Sequence, residues 1–423
     1  MLSSRGVSTR RFTGLAPRLP PTPAALYAAL TSGLTPALAA LIATLAAPQP
    51  ATLSAQAPTP VPGEVTCADC IITLDTIATI GGWEDAGLHV ITPFSQVAVD
   101  RRGRILVTHL SYPEISVFSP EGDYVGTVGR GGTADGEYEA IAHVNVGGRY
   151  IHVFEFQRGR TVLDHDFEVV RTDRSIPQVL SSVVTDTDEV AFALHVPGAT
   201  GIAHQRLVLD MVGRTVSFGG AEPVRRGPQM QRFVVAGDED TFWAVRQQAN
   251  RIVGWDLGPE PAVTRVFDRT IDAFERDNPT DQSWPRSLNV GAMLDDNGLW
   301  IAWQTPDAQW TERISPGDPI PEVPWQTVLD GWLDLVDPST GRTIARYQGD
   351  DALLGFAHGS RYVVSYHEPR VGGAYIHLLA PNITRADRPG RRGAATRTDR
   401  TRSARAGRST VPATRPPTSA GHS

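Results

Sequence analysis

Six polar residues fall at the same point of six similar stretches of this chain: His109, Glu155, His195, Arg246, Gln304 and His367, with Glu368 beside the last. Imidazole and carboxylate are ligands for divalent metals, and imidazole is the usual acid–base group near neutral pH. If the stretches surround one axis, His109, Glu155, His195 and His367 could close on a divalent metal in a central channel. Five of the nine tryptophans, Trp83, Trp284, Trp303, Trp310 and Trp325, lie in or beside the longest loops. Indole offers a flat apolar face and one donor, which suits sugars, peptides and aromatic groups. With Arg246 and Gln304 these tryptophans form a candidate binding surface. Cys67 and Cys70 are the only cysteines. A zinc site would need a second pair, and a haem motif would need His where Ile71 stands. A local disulfide is therefore expected in an oxidising compartment.

These residues must be positioned by strands. The clearest unit runs Gln96–Asp100, Arg104–His109, Glu114–Phe118 and Tyr124–Gly129, with turn residues between the runs. Its second strand recurs at 150–154, 189–195, 241–245, 299–303 and 362–366. The last unit, 353–381, lacks a fourth strand, and Ile72–Gly81 upstream reads as the missing piece. The pattern predicts an all-β chain: a six-bladed β-propeller, each blade a four-stranded antiparallel sheet, with the ring closed by an N-terminal strand. A β-sandwich also accommodates short, evenly spaced strands, but it gives no reason for the permuted last unit. In the propeller, the insertions 82–94, 270–287 and 304–330 share one face, where function concentrates.

The unit Ser116–Tyr138 reads strand, turn, strand, then a glycine-rich linker ending in Gly136, Glu137 and Tyr138. It resembles the NHL-repeat family of six-bladed propellers. The strand pattern carries the resemblance over 72–382, and it implies a secreted bacterial protein of that type. The family holds binding platforms, lyases and hydrolases, so the resemblance implies a fold and leaves the activity open. The zinc histidines of its peptide-amidating lyases would stand at inner-strand starts. Here those starts carry Ser95, Ala142 and Ser181, with His143 one place out. Of the Glu, Asn and Asp set of lactonase-like propellers, only the isolated Asn145 and Asn289 are found. The favoured reading is an exported binding or scaffold protein that recognises a glycan, peptide or protein ligand on its Trp-rich face. The alternative is a metal-dependent lyase or hydrolase with a His/Glu site at the channel mouth.

Residues 1–57 hold four arginines and no acid, with an Ala/Leu-rich stretch over 24–47 and a small-x-small site at Ala55–Ala57. That is the pattern of a signal peptide cleaved after Ala57; an uncleaved anchor is the other reading. Residues 58–71 read as a linker, 72–382 as the propeller, and 383–423 as a disordered tail with ten arginines against Asp387 and Asp399. The chain's net charge of −7 divides into +4 for the signal, +8 for the tail and −19 for 58–382. An acidic body disfavours specific nucleic-acid recognition, while the tail suits an anionic surface. The protein is expected to be monomeric and exported, either periplasmic or extracellular.

Overall fold

The computed structural model describes residues 57–385 except 83–90 and the loop positions 110–111, 157–158, 175, 177–178, 186–187, 198–202, 212–213, 225–231, 238–240, 257–261, 276–282, 311, 313, 316–322 and 370. The expected signal over 1–57, save Ala57, and the tail beyond Arg385 lie outside the described residues.

The chain folds as an all-β propeller. Five four-stranded sheets and one five-stranded sheet follow one another in chain order, with a two-stranded ribbon at Arg130–Gly131 and Glu137–Tyr138. In the first sheet the strands are Gln96–Val99, Ile105–Thr108, Ile115–Phe118 and Tyr124–Val128. Its two middle strands are buried at every position, whereas Tyr124–Val128 alternates between half-buried and exposed. A strand covered on both faces reads as a continuous apolar run; one covered on a single face alternates.

The inner strands pack on one another in sequence: Gln96–Val99, Ile141–Val146, Val179–Val184, Arg232–Ala236, Leu288–Asp295 and Ala352–Phe356. The last returns to the first through a parallel bridge between His358 and Ala98. There the Val99 amide donates to the His358 carbonyl at 2.8 Å, and the His358 amide donates to the Val97 carbonyl at 2.9 Å. An apolar cluster fills each junction. Leu106, Ile115, Ile151 and Val153 join the first sheet to the second. Trp300, Leu333, Leu353 and Val363 join the fifth to the sixth, and Val107, Phe118, Ile376 and Leu378 join the sixth to the first. Turns repeat as well. Asp100 and Asp337 each accept backbone N–H groups two residues ahead, at 2.9 and 2.8 Å, as Asx-type turns require. Gly341 ends the second of these at φ +73°, where a Cβ would stand 2.5 Å from the Phe267 ring.

The outer strand of the sheet holding Ala352–Phe356, Val363–His367 and Tyr375–Arg385 comes from the N-terminal side. Cys70–Gly81 pairs antiparallel with Tyr375–Arg385, from Cys70 opposite Arg385 to Gly81 opposite Tyr375. That strand carries the chain three residues past the boundary expected at 382.

The stretch expected to be a linker, 58–71, is structural instead. Thr59–Pro62 adds as a parallel edge strand to Ala262–Thr270, and Val61 is buried among Trp243, Ile252 and Phe267. Proline lacks the amide of an interior strand but is tolerated on an edge, which is why this segment did not read as one. Thr66 and Cys67 then donate backbone bonds to the Thr343 and Ile344 carbonyls at 2.9 and 3.1 Å. A disulfide joins Cys67 to Cys70, where the strap passes to its own strand.

A buried ion network fixes this strap. Asp334 is fully buried and accepts from Arg269, and also from Arg346 at 2.6 and 2.9 Å; Arg269 donates to Thr343 Oγ1 at 2.8 Å, and Arg346 to the Gly63 carbonyl at 3.2 Å. Burial pushes the Asp334 carboxyl up, but the two guanidinium groups outweigh it and hold the carboxyl below the usual range. Removing the carboxylate strands a buried charge. Asp334→Ala is expected to lower stability by about 3–5 kcal/mol in urea unfolding; a loss below about 1 kcal/mol would show that the network carries little.

Candidate functional site

The inner strands enclose a central channel of about 1200 Å³. All inner strands run the same way, so their starts frame one mouth and their ends the other. Phe94, His109, Gln247, Trp284, Arg286, Gln304 and Trp325 stand toward the first mouth, and Arg101, Asp295 and Arg361 toward the second. Much of the wall between them is apolar, including Val183, Val234, Val290 and Phe356.

The polar centre of the channel lies on the second and third inner strands and just after the last. His143 and Asn145 are two apart on Ile141–Val146, so they share a face. His143 Nε2 and Ser182 Oγ lie 2.7 Å apart, and Asn145 Nδ2 donates to Ser182 Oγ and, at 3.1 Å, to its carbonyl. The His143 ring stacks on Phe154 at 4.8 Å, and His358 faces it at 6.2 Å between ring centroids. The His358 ring has no hydrogen-bond partner among the described residues. Burial, and secondarily the neighbouring His358, push the His143 imidazole down to about 3; burial pushes His358 down to about 4. Both rings are therefore neutral at physiological pH and offer hydrogen bonds without charge.

At the first mouth, the aromatic side chains touch. Trp325 lies 5.4 Å from Trp284 and 5.4 Å, edge-on, from Phe94. Trp284 is held by paired backbone bonds with Ile314 at 2.9 and 2.7 Å. Gln304 Nε2 donates to the Leu353 carbonyl, while Gln247 Oε1 is buried with no partner among the described residues.

The expected site residues divide. Trp284, Trp325, Gln304 and His109 line the channel. Burial lowers the pKa of His109. Trp310 packs beside the mouth, its indole donating to the Glu312 carbonyl at 2.9 Å. Trp303, expected on the loop face, is a core residue 2% exposed, stacked on Trp332 at 4.8 Å. Its exposed side faces a separate cleft of about 1020 Å³ containing Asp307 and Asp330. Arg246 stands at the end of Thr241–Arg246, outside the channel wall, where its carbonyl receives the Asn289 amide at 2.7 Å. Trp83 and the His195 side chain lie outside the described residues.

The expected metal set is not assembled among the described residues. Glu155 accepts the Glu139 amide at 3.1 Å, His367 pairs with Asp351 at 2.9 Å, and no three His, Cys, Asp or Glu side chains form a group that could hold a metal. The reason is geometric. The ends of second strands stand one strand out from the axis: His109 and Gln304 still reach the lumen from there, whereas Glu155 and His367 turn to local partners. His143, Asn145, Ser182 and His358 do face the axis, and the His143/Asn145 pair in an otherwise apolar strand was the available signal.

The neutral imidazoles have a consequence for stability. Below about pH 6.5 the unfolded chain takes up protons at these two positions and the folded chain does not. Their contribution is complete above that pH and is lost as pH falls toward about 4 and about 3, by up to about 1.4 kcal/mol per pH unit for each ring. His358→Gln is expected to flatten the fall in urea midpoint between about pH 7 and 5, and an unchanged slope would contradict the assignment.

No family model and no curated protein matches the chain. Solved structures do. A member of the DUF4221 family from Bacteroides vulgatus is 10% identical, with TM-score 0.51 over 75% of this chain and 99% of that one. A "putative exported protein" of Bacteroides fragilis is 11% identical, with TM-score 0.46 over 76% and 99%. A catalytically inactive virginiamycin B lyase from Staphylococcus aureus, solved with quinupristin, is 9% identical, with TM-score 0.38 over 74% and 99%. At such identities, what the chain shares with the first of these is the fold alone, that of a β-propeller.

Proposed function

We propose that this chain is an exported binding protein that takes its ligand at the aromatic mouth of the central channel. Each sheet of four or five strands is read as one blade, giving six, with Cys70–Gly81 closing the ring. The observation that carries the function is the contact of Phe94, Trp325 and Trp284 at the opening of an enclosed, largely apolar channel. Concave, mostly apolar sites with a few directed polar groups are where small ligands and peptide side chains bind. Gln247 and Gln304 supply such groups at the rim. Export is supported by the signal-like N-terminal sequence and by the Cys67–Cys70 disulfide. The arginine-rich sequence after Arg385 suits contact with an anionic surface, leaving the propeller to act as a monomer.

Phe94 gives the cleanest test because it is 55% exposed and contributes little to the core. Glycan and peptide arrays would supply a ligand. Phe94→Ala is expected to weaken its binding about tenfold or more while the melting temperature moves by no more than about 2 °C. Full affinity in that variant, with a normal melting curve, would move the site away from this mouth.

A further inference from the structure

We propose that the second cleft, apart from the channel mouth, receives arginine side chains from the chain's own C-terminal segment, residues 386–423. This cleft of about 1020 Å³ is lined by the strap at 60–64 and by Trp303, Asp307, Asp330, Trp332 and Gln348.

Two features of the wall suit a guanidinium group. The first is a pair of carboxyls. Asp330 stands beside Asp307, close enough to share a hydrogen bond, and neither has a cationic partner among the described residues. Gln348 Nε2 reaches Asp330 only at 3.4 Å, and one Asp307 oxygen accepts the Gln309 amide at 2.6 Å. Burial, and then the charges of Asp307 and Asp350, push the Asp330 carboxyl above its ordinary range. A cation between the two acids removes that repulsion, and a planar guanidinium meets a carboxylate with two parallel bonds. Arg346, the cation of the wall, is already taken by Asp334 and the Gly63 carbonyl. The second feature is the indole stack. Trp332 lies on Trp303 at 4.8 Å and is half-buried, so part of its indole meets the cleft. Arg346 stands over the Trp303 ring at 5.3 Å, the arrangement by which indoles attract guanidinium groups. The Trp303 indole N–H is buried with no partner among the described residues, an unmet donor in the same wall that a peptide carbonyl complements.

The occupant follows from charge and from where the described chain ends. Residues 58–382 carry −19 and residues 383–423 carry +8. Arg385 pairs with Cys70, whose disulfide partner Cys67 donates to the Ile344 carbonyl at 3.1 Å. Ile344 lies on Thr343–Gly349, the strand that carries Arg346 and Gln348 into the cleft. From Ile344 to Gln348 that strand runs about 13 Å. Arg391, Arg392 and Arg397 follow Arg385 closely enough that the extended chain carries them about 20–40 Å, which covers the distance. Tethering holds these arginines at a local concentration of about 1 mM, so a Kd of about 0.1 mM keeps the segment docked about nine-tenths of the time.

The test follows early trypsin cleavage after Arg391, Arg392 and Arg397 in the full chain by mass spectrometry. Docking is expected to slow these cuts about tenfold at about 20 mM salt, and about 0.5 M salt is expected to abolish the protection. The double change Asp307→Asn and Asp330→Asn is expected to abolish it at low salt, with the melting temperature within about 3 °C of the parent. Asp307→Asn alone, in a loop, serves if the double change disturbs folding. Equal cleavage rates at both salt concentrations would overturn docking of the segment. Protection that survives the Asn changes would put the docked segment on another face and overturn the cleft. Binding of nona-arginine by the full chain, lost in Asp307→Asn, beside an unprotected segment, would give the cleft to a basic partner and overturn the occupant.

Discussion

The middle strands of the first two sheets are buried on both faces, and a sheet with two buried faces must have two neighbours. Ile151–Glu155 and Gly159–Leu163 are buried at every position, as are Ile105–Thr108 and Ile115–Phe118. A row of such sheets would end in two uncovered apolar faces; a ring has none. The clusters joining each sheet to the next, and the last back to the first, are therefore one condition met repeatedly, and the bridge from His358 to Ala98 is where it is met last. The channel is a by-product of this closure. Each inner strand is an edge strand whose lumen-facing side chains contribute least to the cores between sheets. That freedom is what lets His143, Asn145 and Ser182 stand there without loss of packing.

Outer edges pose the opposite problem, because unpaired backbone there can template association. The chain covers two of them with its own N-terminal strap before that strap becomes the outer strand beside Tyr375–Arg385. Since Thr59–Pro62 holds two prolines, its backbone pairing is sparse, and Val61 supplies burial instead. The Asp334 network compensates by reaching the strap at the Gly63 carbonyl. It also ties Ala262–Thr270 to Thr343–Gly349, so the two sheets and the strap share a single buried charge.

Much of the architecture was legible in the sequence because two-faced burial writes itself as short apolar runs at even spacing. The displaced strand at Ile72–Gly81 was legible for the same reason, and structure extends it only to Cys70. Two kinds of feature were not. Pro60 and Pro62 concealed an edge strand, since the rule against proline in strands holds for interior strands and lapses at edges. The polar centre of the channel, on the first strands, was the other. A polar residue ending a second strand and one within a first strand look alike in sequence; only the position of the axis separates them. Thus Gln304 and His109 reach the channel from strand ends, Glu155 and His367 turn to local partners, and His358 arrives from a bridge that no periodicity marks.

Charges on the body and polar groups in the channel differ in how strongly salt screens them, and this separates long-range approach from contact. An anion nearing a body with an excess of acidic residues is repelled at long range, but at physiological salt that field decays over about 8 Å. Inside the channel, screening by salt is weaker and individual groups dominate. There the uncharged imidazoles of His143 and His358 offer hydrogen bonds without charge, and a surface carboxylate such as Asp296 is screened by solvent. On the proposed reading, discrimination among ligands falls to the lumen, where the packed inner strands fix the positions of the polar groups.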